Sequence, residues 1–268
     1  MADVAGILNK KDDEHHLRTL VETIRKNFNA AFYNEATHHY GEGKQGADVF
    51  ALAFGLVPEG KREKVFAALL GHLEKVNYHF DTGILATPLL LQVLTENGRA
   101  DLAYKLMNQR DFPSYGYLAD KKNNTLWETW NGDGNDEGCG HCHPMFGSVV
   151  AWFYHSLAGI KPDQSDPGMK HFYIEPMIVP DLKYCRATYD SQYGKISSDW
   201  KIDENGNLNL KIEVPANTSA TVIIPDWGGR TVLESGKPVS EVSNIVIDKV
   251  DSARMKVSSG VYHFVILK

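Results

Sequence analysis

The sequence predicts a two-domain α + β chain, with helical hairpins in its first part and an antiparallel β-sandwich in its second. Three observations carry this. From Asp12 to about Gly159 apolar residues recur at three- and four-residue spacings. Within that stretch, segments with one apolar stripe alternate with segments apolar nearly all round. After Lys161-Pro162-Asp163-Gln164-Ser165-Asp166-Pro167-Gly168 the period drops to two. The expected domains are therefore 1–160 and 161–268.

In the first helix Leu17, Leu20, Val21, Ile24, Phe28 and Phe32 form a stripe, leaving Arg18, Glu22, Arg25 and Lys26 on the wet side. Ala47 to Leu56 is apolar on most faces, as a buried helix would be. Lys61 to Val76 is again amphipathic through Val65, Phe66, Leu69, Leu70, Leu73 and Val76. Thr87-Pro88 reads as an N-cap and first-turn proline before Leu89 to Leu94, a helix closed by Asn97-Gly98. Asp101 to Asn108 is short and amphipathic, and Met145 to Leu157 is apolar. This alternation is that of three helical hairpins in two layers.

In the second part Ile196, Ser198, Trp200 and Ile202 alternate into Asn205-Gly206, and Leu208, Leu210, Ile212 and Val214 alternate out of it, a hairpin pattern. Further short strands are expected at Thr221 to Ile224, Asn244 to Ile247 and Gly260 to Leu267, with turns at Trp227-Gly228-Gly229 and Ser235-Gly236.

The 268 residues carry a net charge of -6 in mixed signs, with 43% hydrophobic and 23% charged residues. No basic face exists to bind nucleic acid or anionic membrane. No run of about 18 apolar residues could span a bilayer. Met1 to Glu14 lacks the apolar core of a signal peptide, and Cys139, Cys142 and Cys185 are too few for a disulfide framework. The default compartment is then a reduced cytoplasm.

The candidate chemistry is concentrated between Phe112 and His143, a connection longer than compact domains usually carry without a function. It contains Thr125-Leu126-Trp127-Glu128-Thr129-Trp130, one carboxylate between two indoles. Pyranose ring faces stack on aromatics, while a carboxylate can activate water or protonate an oxygen. Tryptophans in such a segment are otherwise core residues. Cys139-Gly140-His141-Cys142-His143 has the residue types of a zinc site, but groups this close in sequence cannot all face one ion and no second ligand pair follows. Asp133, Asp136 and Glu137 lack the ligand spacing of an EF-hand. Neither metal nor cofactor is expected. Phosphate-binding glycine loops, nucleophile elbows and dinucleotide fingerprints are absent from the sequence.

An ordered series of segments resembles the C-terminal part of bacterial α-L-rhamnosidases. The series runs Gly46-Ala47-Asp48-Val49-Phe50-Ala51-Leu52, Gly55-Leu56-Val57-Pro58-Glu59, Thr82-Gly83, Pro113-Ser114-Tyr115-Gly116, Thr125 to Trp130, and His143-Pro144-Met145-Phe146-Gly147-Ser148. Leu157-Ala158-Gly159-Ile160 and Pro167-Gly168 with His171-Phe172 keep the order. The resemblance implies a partial (α/α)6 toroid followed by a C-terminal β-sandwich, and hydrolysis of terminal α-L-rhamnosides with inversion. It assigns Glu128 as the general base, His143 to the rhamnose pocket, and Trp127 and Trp130 to its walls. The implied partner is a rhamnose-containing glycan.

Two departures qualify the implied function. The family's general acid precedes the region this chain resembles, and Met1 to Leu8 resembles the interior of a family helix. Three hairpins cannot close a ring of six, so open edges would be covered by the N-terminal half of the toroid or by a second copy. At Gly140-His141-Cys142-His143 the family commonly has Ser-Leu-Asn-His, so Cys142 alters the hydrogen bonding beside the histidine. The alternative reading is a non-catalytic remnant or sugar-binding module. A polysaccharide lyase ranks last, since only Lys121 and Lys122 are basic near Tyr115 and Tyr117.

Overall fold

A computed structural model describes residues 1–121, 125–131, 140–224, 229–248, 251 and 253–268. Lys122, Asp133, Asp136, Glu137, Cys139 and the Trp227-Gly228 turn, all considered above, lie outside the described residues. The chain divides into two compact units, Met1–Gly147 and Ser148–Lys268.

The first unit is helical: α1 (Ala2–Ile7), α2 (Lys11–Phe32), α3 (Gln45–Ala53), α4 (Arg62–Lys75), α5 (Ala86–Glu96), α6 (Ala100–Met107) and α7 (Tyr115–Asp120). The two segments read as apolar all round, α3 and α5, pack on each other, with α4 against α3 and α6 against α5. Val49, Ala51 and Leu52 of α3 meet Leu90, Leu91, Val93 and Leu94 of α5 in the core. The amphipathic stripe of α2 behaves differently, since no residue of that helix is buried and Leu20, Val21, Ile24 and Phe32 are exposed.

Helix α5 starts one residue before the expected cap. Ala86 opens it, and the Thr87 hydroxyl lies inside, donating to the Gly83 carbonyl at 2.9 Å. Pro88 thereby occupies the third helical position, where its missing N–H is still no loss. The exit follows expectation: Gly98 adopts φ +75°, and Arg99 N–H donates to the Leu94 carbonyl at 2.8 Å.

Between α6 and the candidate loop, α7 is an element that apolar periodicity does not reveal. Six residues carry too little pattern, but Ser114 caps it, its Oγ accepting from Tyr117 N–H at 3.0 Å. The single apolar helix expected from Met145 to Leu157 is instead three pieces. These are a 3-10 turn (Pro144–Val149), α8 (Val150–Trp152) and a π-helical turn (Phe153–Leu157). Gly147 and Ser148 are weak helix formers, and the Phe146 carbonyl is taken by the Tyr115 hydroxyl at 2.9 Å.

The second unit is one hydrogen-bonded network of β1 (Ile160–Pro162), β2 (His171–Ile174), β3 (Tyr184–Ser191), β4 (Gly194–Ile202), β5 (Leu208–Ile223), β6 (Val232–Glu234), β7 (Lys237–Pro238), β8 (Ile245–Ile247) and β9 (Arg254–Ile266). The expected hairpin is β4–β5, with Ile202 opposite Leu208 and Gly206 at φ +83°. The Asp203 carboxylate braces the turn by accepting from Asn205 N–H and Asn207 N–H, both at 2.9 Å. Those bonds, Asn207's first, hold its pKa below the usual carboxylate range.

The expected separate strand at Thr221 to Ile224 is the continuation of β5, which runs for 16 residues and changes neighbour midway. Its first half pairs with β4; its second half, from Ser219, pairs with β2 in parallel, so the sheet is mostly rather than wholly antiparallel. The switch falls at Pro215, which has no N–H to give a ladder, and at Asn217 with φ +61°. Phe172, Ile174, Ile196, Trp200, Leu210, Val222 and Phe264 fill the core. The Trp200 indole N–H is satisfied by the Leu157 carbonyl at 2.7 Å.

Candidate active site

The Thr125 to Trp130 segment is held by its own far end. Glu128 N–H donates to the Gly140 carbonyl at 2.9 Å, and His143 N–H donates to the Leu126 carbonyl at 2.8 Å. This ladder places Glu128 and His143 on either side of Gly140. A Cβ built on Gly140 would lie 3.3 Å from Glu128 Oε2 and 3.9 Å from the His143 ring. The Gly140 N–H also donates to Glu128 Oε2 at 2.9 Å. Oε2 is thus anchored, while Oε1 takes no hydrogen bond among the described residues.

His143 is half-buried, and its Nδ1 is shielded from solvent without a hydrogen-bond partner among the described residues. A shielded ring nitrogen of this kind costs free energy until something pairs with it. Trp127 is 7% exposed and lies 5.0 Å, centroid to centroid, from the His141 ring. Cys142 is exposed. Among the described residues no group of three or more His, Cys, Asp or Glu is placed to hold a metal ion.

Trp130, 9% exposed, is packed on three aromatic neighbours. It stacks on Phe80 at 5.1 Å, meets Tyr115 edge-on at 5.1 Å and lies 4.2 Å from Phe146. Its indole N–H donates to the Thr82 carbonyl at 2.7 Å. Burial in this cluster drives the Tyr115 phenol pKa upward, so it stays a neutral donor to Phe146. The loop is therefore pinned to the segment that enters α5.

That segment is fixed in turn by residues to which sequence patterning assigned no role. Gln45 at the start of α3 donates through Nε2 to the His79 carbonyl at 2.7 Å. Its Oε1 accepts from Asp81 N–H at 3.1 Å, and its own N–H donates to Asp81 Oδ1 at 3.1 Å. His72 pairs with the other Asp81 oxygen. A cleft of about 570 Å3 opens at the N-terminal ends of α3 and α5, lined by Lys44, Phe50, Asp81, Thr82 and Leu85 among others. Thr82 thus belongs both to the cleft and to the anchor of Trp130. A polar residue entering an otherwise apolar helix, as Gln45 does, is the one sequence cue that could have indicated this.

Comparison with known proteins places the helical unit in the class of six-hairpin glycosidases. Residues 1–157 match the family model described as the bacterial alpha-L-rhamnosidase 6 hairpin glycosidase domain, and residues 159–237 match the bacterial alpha-L-rhamnosidase C-terminal domain. The chain belongs to the bacterial α-L-rhamnosidase family. It is 31% identical over 271 residues to an alpha-L-rhamnosidase of Formosa agariphila, covering 98% of this chain and 29% of that protein. The solved structure of the alpha-L-rhamnosidase from Dictyoglumus thermophilum superposes with a TM-score of 0.89 at 33% identity, covering 100% of this chain and 30% of that one. The Streptomyces avermitilis α-L-rhamnosidase, solved in complex with L-rhamnose, gives a TM-score of 0.85 at 33% identity over 98% of this chain and 25% of that one. The chain spans between 20% and 29% of the length of the curated relatives it matches.

Proposed function

We propose that this chain supplies the general base and part of the sugar pocket of a glycoside hydrolase that cleaves terminal α-L-rhamnosides with inversion. The observation that carries this is the asymmetry of Glu128, anchored through Oε2 and, among the described residues, without a hydrogen bond at Oε1. A base needs a fixed carboxylate with a free lone pair to take the proton of the attacking water. That water then adds to the anomeric carbon on the face opposite the leaving group. His143, beside Gly140, belongs to the sugar pocket, and Trp127 and Trp130 wall the site, Trp130 mainly by holding the loop in place.

In an inverting enzyme the acid stands roughly 6.5 to 9.5 Å from the base. In the family that acid lies before the region these hairpins match. The helical unit is then part of an (α/α)6 toroid, and the exposed stripe of α2 packs on the rest of the ring. The following unit forms a β-sandwich, with the domain boundary at residues 160/161.

The experiment is Glu128→Gln in the full-length protein, assayed on an aryl α-L-rhamnoside. Turnover should fall by about 10²-fold or more, the usual worth of acid–base catalysis. An unchanged rate removes Glu128 from the mechanism. The coverage of only 20–29% of the relatives supports a second reading, in which the 268-residue chain alone binds sugar without cleaving it. Glu128-dependent hydrolysis by that chain alone would overturn the second reading.

A further inference from the structure

The sheet unit carries a cleft that rhamnoside hydrolysis does not use. Register aligns one residue from each of four strands: Tyr173 of β2 stands beside Thr221 of β5, Thr221 beside Lys256 of β9, and Lys256 beside Val246 of β8. Side chains alternate along each strand, so His171, Ser219 and Arg254 share the face of this row. Phe172, Ala220, Met255 and Val257 point the other way, into the core. Over the row lies a cleft of about 620 Å3 whose lining includes the carboxylates of Asp163 and Asp248 as well as His171, Tyr173, Arg254 and Lys256. That volume is within the roughly 300–1,000 Å3 of small-molecule sites.

Its floor is organised. The His171 ring is held at both nitrogens, Nδ1 with the Ser219 hydroxyl at 2.8 Å and Nε2 with the Thr221 hydroxyl at 3.0 Å. Its ring meets Tyr173 edge-on at 5.7 Å, and the Arg254 guanidinium lies 5.8 Å from the Tyr173 centroid. The Asp163 carboxylate is committed to Ser165, accepting from its N–H at 2.9 Å and its hydroxyl at 2.7 Å, and the Asp248 carboxylate accepts from Asp251 N–H at 3.1 Å. Arg254 and Lys256, two residues apart on one face of β9, have no ion-pair partner among the described residues.

Neither lining carboxylate is paired to Arg254 or Lys256 among the described residues, so the two cations on one face of β9 suit an anion. A guanidinium matches the two oxygens of a carboxylate or sulfate, and the adjoining aromatic ring and hydroxyls suit a sugar ring. We infer that this cleft binds an anionic saccharide unit, a uronate or a sulfate ester, with Arg254 and Lys256 taking the acid group and Tyr173 contacting the ring. It would hold an acidic part of a glycan independently of the Glu128 site, and it does not rest on the hydrolytic reading.

The test is calorimetric titration of the 268-residue chain with D-glucuronate, D-glucose 6-sulfate, D-glucose and sodium sulfate. Saturable binding of one or both acidic sugars is expected, weakened at least about tenfold in Arg254→Ala/Lys256→Ala, with D-glucose not binding. Lys256→Glu, at an exposed position, should show the same loss if the double variant fails to fold. Absence of saturable binding by either acidic sugar would overturn the inference. So would binding unchanged in these variants, D-glucose binding as tightly as D-glucuronate, or sodium sulfate binding as tightly as either acidic sugar. Because binding and not turnover is read, the result is separate from that of Glu128→Gln.

Discussion

Glu128 and Gly140 are joined by two hydrogen bonds of 2.9 Å running in opposite directions, one from Glu128 N–H to the Gly140 carbonyl and one from Gly140 N–H to Glu128 Oε2. The side chain of the proposed base is therefore aimed by the same residue that pairs with its backbone. Gly140→Ala would bring a methyl to 3.3 Å from Oε2, forcing a shift of a few tenths of an ångström. In the full-length protein kcat is expected to fall about tenfold with KM little changed, since catalytic geometry is lost without removing sugar contacts. Steady-state kinetics on an aryl α-L-rhamnoside checks this, and an unaltered kcat would show that the anchor is dispensable.

Trp130→Phe keeps an aromatic ring beside Phe80 but removes the indole donor. The Thr82 carbonyl, in a residue that is buried, then keeps only the long 3.5 Å contact from the Thr87 hydroxyl. The cost should be about 1–3 kcal/mol, read from urea unfolding of the chain.

Gly159→Ala should be among the most damaging single changes. Gly159 has φ +76°, and a Cβ there would sit 2.2 Å from both the Glu175 carbonyl carbon and Pro176 N. Those are backbone atoms, which cannot swing aside as a side chain would. A loss above about 3 kcal/mol is expected, beyond ordinary overpacking, and differential scanning calorimetry would show it in the sheet unit.

Asp48 gives a pH-dependent prediction. Burial, outweighing its bonds from Tyr40 N–H and His39, holds its carboxyl above the ordinary range. The folded state then binds the proton more tightly than the unfolded state. The stability contributed by the protonated form is present below the ordinary carboxylate pKa and is lost as pH rises through the raised value. Asp48→Asn removes that titration, so the variant should gain on the natural protein as pH increases from about 4 upward. Thermal melts of both proteins across that range would decide it, and a constant difference would refute the assignment.

What could be read from the sequence was whatever repeats. The helices α2 to α6 and the β4–β5 hairpin have enough residues for their period to be seen, and two of their turns carry Asn-Gly pairs, Asn97-Gly98 and Asn205-Gly206. Glu128 and His143 stand out as candidates because the order of the segments around them resembles the family's. Contacts between segments far apart in sequence were not legible. The Gln45–Asp81 lock spans 36 residues, and the Trp130 bond to Thr82 spans 48. Neither leaves a local pattern. The same holds for β5, where Pro215-Ala216-Asn217-Thr218 interrupts the apolar alternation and suggests two strands, while nothing local reveals that one strand continues and changes its partner on one edge there. Helix α7 escaped for the opposite reason, being too short to show a period.

The position of β9 has a consequence for how the protein is made. It is the strand against which β5, β6 and β8 all pair, and it comes after every one of them in the chain. While the ribosome is still working, those three strands wait with open edges until β9 emerges from the tunnel. The sheet unit should thus assemble late and abruptly, and a nascent chain stalled before Arg254 would be a natural target for chaperones.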